Sequence, residues 1–254
     1  MSLRSFARNI RTQYRIFKHK GNTYTCPYCG YHASGFYQIG LPHQANIDHQ
    51  IIGAGLRNGG CYKCDSMDRE RALYAFFNNE LDIFKNKSDY SILHLAPEWR
   101  LTDLFLKYQY KEYICTDKFM EGYSYPSHVI DMDIMNIPYE DNRFDLIICN
   151  HILEHIPDDI AAMKELFRVL KPNGTAVLQV PISATLQDTY ENPAVTTNED
   201  REKHYGQYDH VRIYGQDYVA RLQSVGFKVN RINISNKYKQ YGLIPNEDLF
   251  ICSK

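Results

Sequence analysis

No apolar run in this chain approaches the roughly 18 residues that would suggest a membrane-spanning helix, and nothing at its start resembles a cleavable leader. An excess of one charge is missing too. Lysine and arginine total 29 against 30 aspartates and glutamates, a net charge of −1, so no global basic field draws the protein to nucleic acid, although local patches stay open. Nor do the cysteines come in an even number. Seven are present, and Cys115 and Cys149 fall inside predicted core strands, which argues for a reducing compartment over a disulfide framework. The cytoplasm is the expected location. What is present is an ordinary apolar fraction, 44% of 254 residues, enough for one large or two unequal domains.

Three segments follow from the patterning. Residues 1–20 carry Arg4, Arg8, Arg11, Arg15, Lys18 and Lys20 without an acidic residue, while Leu3, Phe6, Ala7, Ile10, Tyr14 and Phe17 recur at helical spacing. This predicts a basic amphipathic helix, either packed on the body with a solvated cationic face or in weak contact with an anionic membrane surface or nucleic acid. Residues 21–66 lack helical periodicity, are rich in Gly, Cys, His and Tyr, and read as a small loop-rich module. Residues 67–254 form the main domain, entered through an amphipathic helix bearing Arg69, Arg71, Ala72, Leu73, Phe76, Phe77, Leu81 and Phe84.

In that domain strands are expected near 91–95, 112–116, 128–132, 144–149, 174–181, 227–234 and 247–252, and helices near 100–109, 158–170 and 215–225. Alternation of this kind specifies a parallel sheet covered by helices on both faces. The segment Asn236 to Glu247 joins the last two strands without a helix, so these two should pair antiparallel.

Cys26-Pro-Tyr-Cys29 and Cys61-Tyr-Lys-Cys64 are two CxxC knuckles separated by 31 residues. Each knuckle presents two thiolates from one tight turn, and two turns complete the tetrahedral four-cysteine site that Zn²⁺ prefers. His32, His43 and His49 lie in the spacer as alternative ligands. Four thiolates close the coordination shell, so the metal would be structural, and a module this small could hardly bury enough apolar surface without it.

The most informative stretch is Phe144-Asp-Leu-Ile-Ile-Cys-Asn-His-Ile-Leu-Glu-His-Ile-Pro157, followed by Glu165-Leu-Phe-Arg-Val-Leu-Lys-Pro-Asn-Gly174 and Thr175-Ala-Val-Leu-Gln-Val-Pro181. It resembles the second half of a class I S-adenosylmethionine-dependent methyltransferase of type 11, and the resemblance covers roughly residues 90–254. The fold it implies is α/β, a Rossmann-like seven-stranded methyltransferase sheet with the small zinc-ribbon-like module at its N-terminal side. Where that family has an acidic residue and a D-x-G-x-G-x-G loop after its first strand, this chain has His94-Leu-Ala-Pro-Glu-Trp-Arg100. Ala96, Glu98 and Arg100 stand in place of the glycines, which alters the floor under the methionine moiety or removes binding altogether. Glu98 is expected to turn its carboxylate toward the cofactor's ammonium group.

The resemblance further implies Asp117 on the ribose hydroxyls, Asp133 with the Ile134 amide on adenine, and His94, Ala96, Asn150 and His151 around the cofactor. Ile137-Pro-Tyr-Glu-Asp-Asn-Arg-Phe144 resembles the family's connection into the fourth strand. His151 is a candidate base, needed only where the acceptor must lose its proton early, and His155 is assigned a structural part. The polar insert 182–214 reads as a lid at the carboxyl edge of the sheet, and its His210 and Arg212, alternating with period two, are candidates to contact the acceptor. The phrase Gly206-Gln-Tyr-Asp-His-Val-Arg-Ile-Tyr-Gly215 resembles bacterial methyltransferase-like proteins associated with cell-surface polysaccharide synthesis.

The leading expectation is therefore a methyltransferase using S-adenosyl-L-methionine, with a structural Zn²⁺, acting on a small polar or carbohydrate-like acceptor. An RNA methyltransferase holding nucleic acid on the ribbon is the second reading, disfavoured by the neutral net charge and the absence of an N-P-P-Y type phrase after the fourth strand. The third is a non-enzymatic binding protein whose altered 94–100 loop has lost the cofactor. The oligomeric state is left open.

Overall fold

The computed structural model describes residues 3–85 and 87–254, with side chains described from Ile10 onward except at position 86. The expectations for the side chains of Leu3, Arg4, Phe6, Ala7 and Arg8 lie outside the described residues. A single seven-stranded sheet organises the chain: β1 Ser91–Leu95, β2 Glu112–Asp117, β3 Val129–Asp131, β4 Phe144–Asn150, β5 Leu170–Gln179, β6 Lys228–Ile232 and β7 Leu249–Ser253. Their spatial order is β6-β7-β5-β4-β1-β2-β3. Strands β1 to β5 pair parallel, and β7 runs antiparallel to both β5 and β6. This is the mixed sheet, five β/α-like units closed by an antiparallel hairpin, expected of the class I methyltransferases.

Period-two alternation divides each central strand between two cores. Leu93, Leu95, Ile147, Cys149, Ala176 and Leu178 face helices Asp159–Val169 and Tyr218–Ser224. Ile92, Leu146, Ile148 and Val177 face the other side, against helices Asp68–Ala75 and Trp99–Phe105. Burial on both faces is why β1 and β4 read as continuous apolar runs. Two boundaries shift from the expected ones. The ladder of β5 on β4 is in register from Thr175, after an irregularity at the Lys-Pro-Asn-Gly turn, and the helix after Ser66 becomes a π-turn at Phe76–Glu80.

The N-terminal third folds into short antiparallel pairs. Lys20–Thr25 pairs with His32–Ala33 and Tyr37–Ile39 with Arg57–Gly60. Ile51–Ile52, however, pairs with Ile182–Ser183, so this region is stitched directly to the start of the 182–214 insert. Arg71 makes a second tie. Its fully buried guanidinium donates to the carbonyls of Gly59 and Ser66 on one side and Tyr241 and Gly242 on the other, and its centre lies 3.7 Å from the ring centroid of Phe36.

Helix Leu3–Lys18 is anchored at its end by an Arg15–Asp65 ion pair at 2.7 Å and by His19 stacked on Tyr62. Ile10, Tyr14 and Phe17, at i, i+4 and i+7, are 55%, 63% and 81% exposed, so this apolar stripe is not packed on the body. No helix among the described residues is long and apolar enough to cross a membrane.

Candidate active site

The carboxyl ends of β1, β2 and β3 open onto a cavity of about 200 Å³ lined by Leu95, Ala96, Thr116, Asp117, Lys118, Met132, Asp133, Ile134, Met135, Ile152 and Ile156. Four of the residues assigned to the cofactor from sequence, Ala96, Asp117, Asp133 and Ile134, converge here. Parallel strands deliver their terminal side chains to one edge, and that edge is where open α/β sheets bind ligands. Ala96 holds φ +43°, the left-handed backbone that glycine adopts freely, with its amide donating to Thr116 O at 2.7 Å. The turn after β1 thus survives without glycine.

Asp117 takes the Lys118 amide on Oδ1 at 2.8 Å, and burial followed by the charge of Asp131 raises its carboxyl above the ordinary value. Asp133 accepts from the Met135 amide on Oδ1 and from Lys118 Nζ on Oδ2, both at 2.9 Å. The Lys118 contact, followed by the Met135 amide bond, holds its carboxyl below the usual range. Lys118, Met132 and Met135 were not singled out from sequence. Their only signal was adjacency to the strand-end aspartates.

His94 lies beneath this cavity and not in its wall. It is fully buried, with Nε2 at 2.9 Å from Glu98 Oε2 and Nδ1 at 2.8 Å from the Tyr113 hydroxyl. A carboxylate only accepts, so Nε2 donates to Glu98 and Tyr113 donates to Nδ1. Asn150 Nδ2 donates to the other oxygen of Glu98 at 3.1 Å. Burial alone would raise the Glu98 carboxyl; the hydrogen bond from His94 is the largest of the effects that outweigh it, so the group stays below its ordinary value. Two acceptors nearby, Asn150 Oδ1 and Thr116 Oγ1, are buried with no partner among the described residues. An anionic Glu98 beside an unsatisfied amide oxygen suits an ammonium group, and unpaired buried polar atoms of this kind mark where a ligand supplies the missing bonds.

A second, larger cavity of about 440 Å³ lies across the loop that leaves β4. Its walls come from four parts of the chain: Ile39, Leu41, His43, Asn46 and Arg57 of the N-terminal region; Met67 and Arg69 where the next helix begins; His151, Glu154 and His155 of the β4 loop; and Glu202, Tyr208 and His210 of the 182–214 insert. Its volume falls in the range of small-molecule sites, roughly 300–1,000 Å³. Glycines allow the walls to close. Gly206, at φ +76°, would bring a Cβ within 2.4 Å of Asn46 Oδ1.

The β4 loop carries the titrating groups. His151 stands at φ +54°, with Nδ1 at 3.4 Å from Glu154 Oε1, and its Nε2 is buried without a partner among the described residues. Burial, followed by the charge of Arg69, lowers its pKa, so the imidazole is neutral near pH 7. With Nδ1–H directed at Glu154, the lone pair of Nε2 is free to take a proton. Glu154 is 2% exposed; burial would raise it, yet the hydrogen bond from His151, joined in acid by the positive charges that His151, His155 and His210 then carry, outweighs burial and leaves it at about 2. His155 Nδ1 sits 3.3 Å from Asp209 Oδ2, and burial pushes His210 down to about 4. Glu154 was visible within the H-x-L-E-H phrase, but its role depends on contacts that spacing does not reveal.

Arg212 is placed differently from His210. It is 2% exposed and does not line the large cavity; it donates to the carbonyls of Leu153, Ile156 and Pro157 and pairs with Glu191 at 3.2 Å. That geometry staples the insert to the β4 loop.

The four thiol sulfurs of Cys26, Cys29, Cys61 and Cys64 lie within 4.8 Å of one another, with Cys26–Cys64 at 3.6 Å and Cys29–Cys61 at 3.8 Å. A tetrahedral ion with metal–sulfur bonds of about 2.3 Å separates its sulfurs by about 3.8 Å, so the donors fit Zn²⁺ without rearrangement. The knuckles are matched: Gly30 N donates to Cys26 O and Asp65 N to Cys61 O, each at 2.9 Å, with Gly30 and Asp65 both left-handed. A dianionic zinc tetrathiolate would also supply counter-charge to Arg71, whose guanidinium bonds only to carbonyls while Asp68 and then three of these cysteines are its main negative neighbours.

Residues 108–178 match the methyltransferase domain family Methyltransf_11. A demethylmenaquinone methyltransferase of Staphylococcus haemolyticus is 46% identical over 50 residues, 20% of this chain and 21% of that protein. One from Listeria welshimeri is 31% identical over 100 residues, 38% of this chain and 42% of its own. The chain thus spans between a fifth and about two fifths of these relatives. Among solved structures, a SAM-dependent methyltransferase from Archaeoglobus fulgidus is similar with a TM-score of 0.43 and 15% identity, over 72% of this chain and 93% of that one. Family match and strand order together identify a class I methyltransferase domain in this chain, and S-adenosylmethionine is the co-substrate that domain implies.

Proposed function

We propose that this class I methyltransferase-domain protein transfers a methyl group from S-adenosylmethionine to a hydroxyl of a small polar acceptor, bound between the N-terminal module and the 182–214 insert. The observation that carries the reading is the pairing of two cavities across one loop. The smaller holds the strand-end carboxylates suited to an adenosyl group, and the larger presents a neutral His151 backed by the Glu154 carboxylate. Asp117 would hold the ribose hydroxyls, Asp133 and the Ile134 amide the adenine, and Glu98 with Asn150 the ammonium group.

Bound there, the co-substrate supplies an electrophilic methyl on a sulfonium. The chain's own contribution is mainly alignment, since holding nucleophile and methyl in line supplies most of the advantage of such a displacement. His151 Nε2 accepts the proton of the acceptor hydroxyl as its oxygen bonds to the methyl carbon. The sulfur–methyl bond breaks in the same step, and the electron pair neutralises the sulfur. Glu154 stabilises the imidazolium that results.

The acceptor class is read from the cavity wall, where Arg69, Glu154, Glu202, the histidines and an Arg57 paired with Asp68 stand among a few apolar side chains. Such a lining of hydrogen-bonding groups of both signs suits a small hydroxylated compound such as a sugar, consistent with a place in cell-surface polysaccharide synthesis. The exposed stripe Ile10, Tyr14, Phe17 beside Arg11, Arg15 and Lys18 supports weak attachment of the N-terminal helix to an anionic membrane surface. Calorimetry with S-adenosylmethionine, followed by an acceptor screen with radiolabelled methyl donor, tests the reading. Absence of binding at millimolar co-substrate would overturn it in favour of a non-enzymatic binding protein.

A further inference from the structure

We infer a second metal site: Glu154, His155 and His210 hold one divalent transition-metal cation in the wall of the large cavity, where it selects acceptors that chelate through two neighbouring oxygens. The inference deepens the reading of that cavity as the acceptor site and rests on it for the acceptor, though not for the metal.

The ligand atoms of these three residues lie within 4.8 Å of one another, and Glu154 and His210 are 2% and 7% exposed. All three can present lone pairs to one point. The carboxylate of Glu154 is acceptor-only, and its Oε2 is buried with no hydrogen-bond partner among the described residues. His155 directs Nδ1 at Asp209 Oδ2, 3.3 Å away, which fixes the tautomer with the hydrogen on Nδ1. Its Nε2 lies 3.9 Å from Glu154 Oε1, where a cation taking the place of the second ring proton would find the lone pair. The His210 ring meets that of His155 edge-on, with centroids 4.7 Å apart. A cation bound at this point would engage the free Glu154 Oε2 and displace the ring protons that otherwise face the carboxylate.

The donor set agrees with the chemistry. Two imidazoles and one carboxylate, with remaining positions open, make a site for first-row divalent ions, whereas four thiolates make a closed one. A ligating histidine that donates its other nitrogen to a carboxylate is the usual outer-shell arrangement, supplied here by Asp209. The open positions face the 440 Å³ cavity, because Glu154, His155 and His210 all line it. A vicinal diol or α-hydroxy acid would fill two of them, lowering the pKa of the hydroxyl whose proton His151 accepts.

The test is metal content of the full chain, equilibrated with Zn²⁺ and desalted. The expected result is two zinc ions per chain, falling to one in His155→Ala and in His210→Ala, with the four-cysteine zinc retained. Asp209→Asn should weaken the second site by roughly tenfold to a hundredfold, read by competition with a chromophoric chelator. Mn²⁺, which favours carboxylate and imidazole over thiolate, gives an independent count by loss of its free-ion spin-resonance signal on binding. One zinc per chain in the wild type, with no Mn²⁺ bound at millimolar concentration, overturns the site. Two zincs that persist in both histidine variants overturn it as well. Co-substrate calorimetry separates the readings: binding with a single zinc removes the metal site alone, and two zincs without co-substrate binding remove the transferase reading alone.

Discussion

Asp117 offers the sharpest test of the co-substrate cavity, because it can be made before any acceptor is known. One of its oxygens is engaged by the Lys118 amide at 2.8 Å, and the carboxylate lines the 200 Å³ cavity at the end of β2. If both ribose hydroxyls donate to it, Asp117→Ala removes two charge-assisted hydrogen bonds of about 1.5–3 kcal/mol each. Each loss of about 1.4 kcal/mol is tenfold in Kd, so affinity for S-adenosylhomocysteine should fall at least about tenfold for one bond, and roughly 10²–10⁴-fold if both bonds are fully formed. Asp117→Asn keeps the shape and one acceptor oxygen but not the charge, and belongs between. The pH dependence has a definite sign. Burial and Asp131 raise this carboxyl, and only the ionised form accepts from both hydroxyls, so affinity should fall with decreasing pH, beginning above the ordinary aspartate range. Titration calorimetry at several pH values measures this, with the thermal midpoint confirming that each variant is folded. A folded Asp117→Ala protein that binds as tightly as the wild type would refute the assignment.

Cys26→Ser with Cys64→Ser should lose the structural zinc, checked by elemental analysis, and expose residues 20–66 to proteolysis. Arg71→Met strands four carbonyls and removes the counter-charge of the cluster; a cost of about 3–5 kcal/mol corresponds to a fall in Tm of roughly 6–20 °C by calorimetry. His151→Gln should lower turnover by roughly 10²–10⁴ with co-substrate affinity nearly unchanged. Because burial and Arg69 lower the His151 pKa, the wild-type rate should be flat around pH 7 and fall only as acid titrates the ring below the ordinary histidine value. Co-sedimentation with anionic vesicles should decline with salt and on deletion of residues 1–20; binding unaffected by either would return that helix to a soluble role.

The fold was legible because its signals are local. Apolar runs at 91–95 and 144–150 mark strands buried on both faces, and the alternation of strand and helix implies the parallel order. The cysteine knuckles were equally readable, since a CxxC turn brings its two sulfurs together whatever surrounds it. Ala96, Asp117, Asp133 and Ile134 could be placed at one edge because each ends or follows a parallel strand. Other features depended on contacts between segments far apart in the chain. Period-two spacing suggests that His210 and Arg212 project together, but the insert turns one into the cavity and spends the other on the carbonyls of 153–157. The N-terminal module looked separable, yet Ile51–Ile52 pairs with Ile182–Ser183 across 130 positions, and the adjoining Gly53 and Pro181 line the large cavity. Sequence alone determined the sheet, the knuckles and the strand-end carboxylates, because short-range geometry dictates them. Tertiary structure alone decided which residues enclose the larger cavity, because only packing determines whether a buried histidine or arginine faces a cavity or a carbonyl.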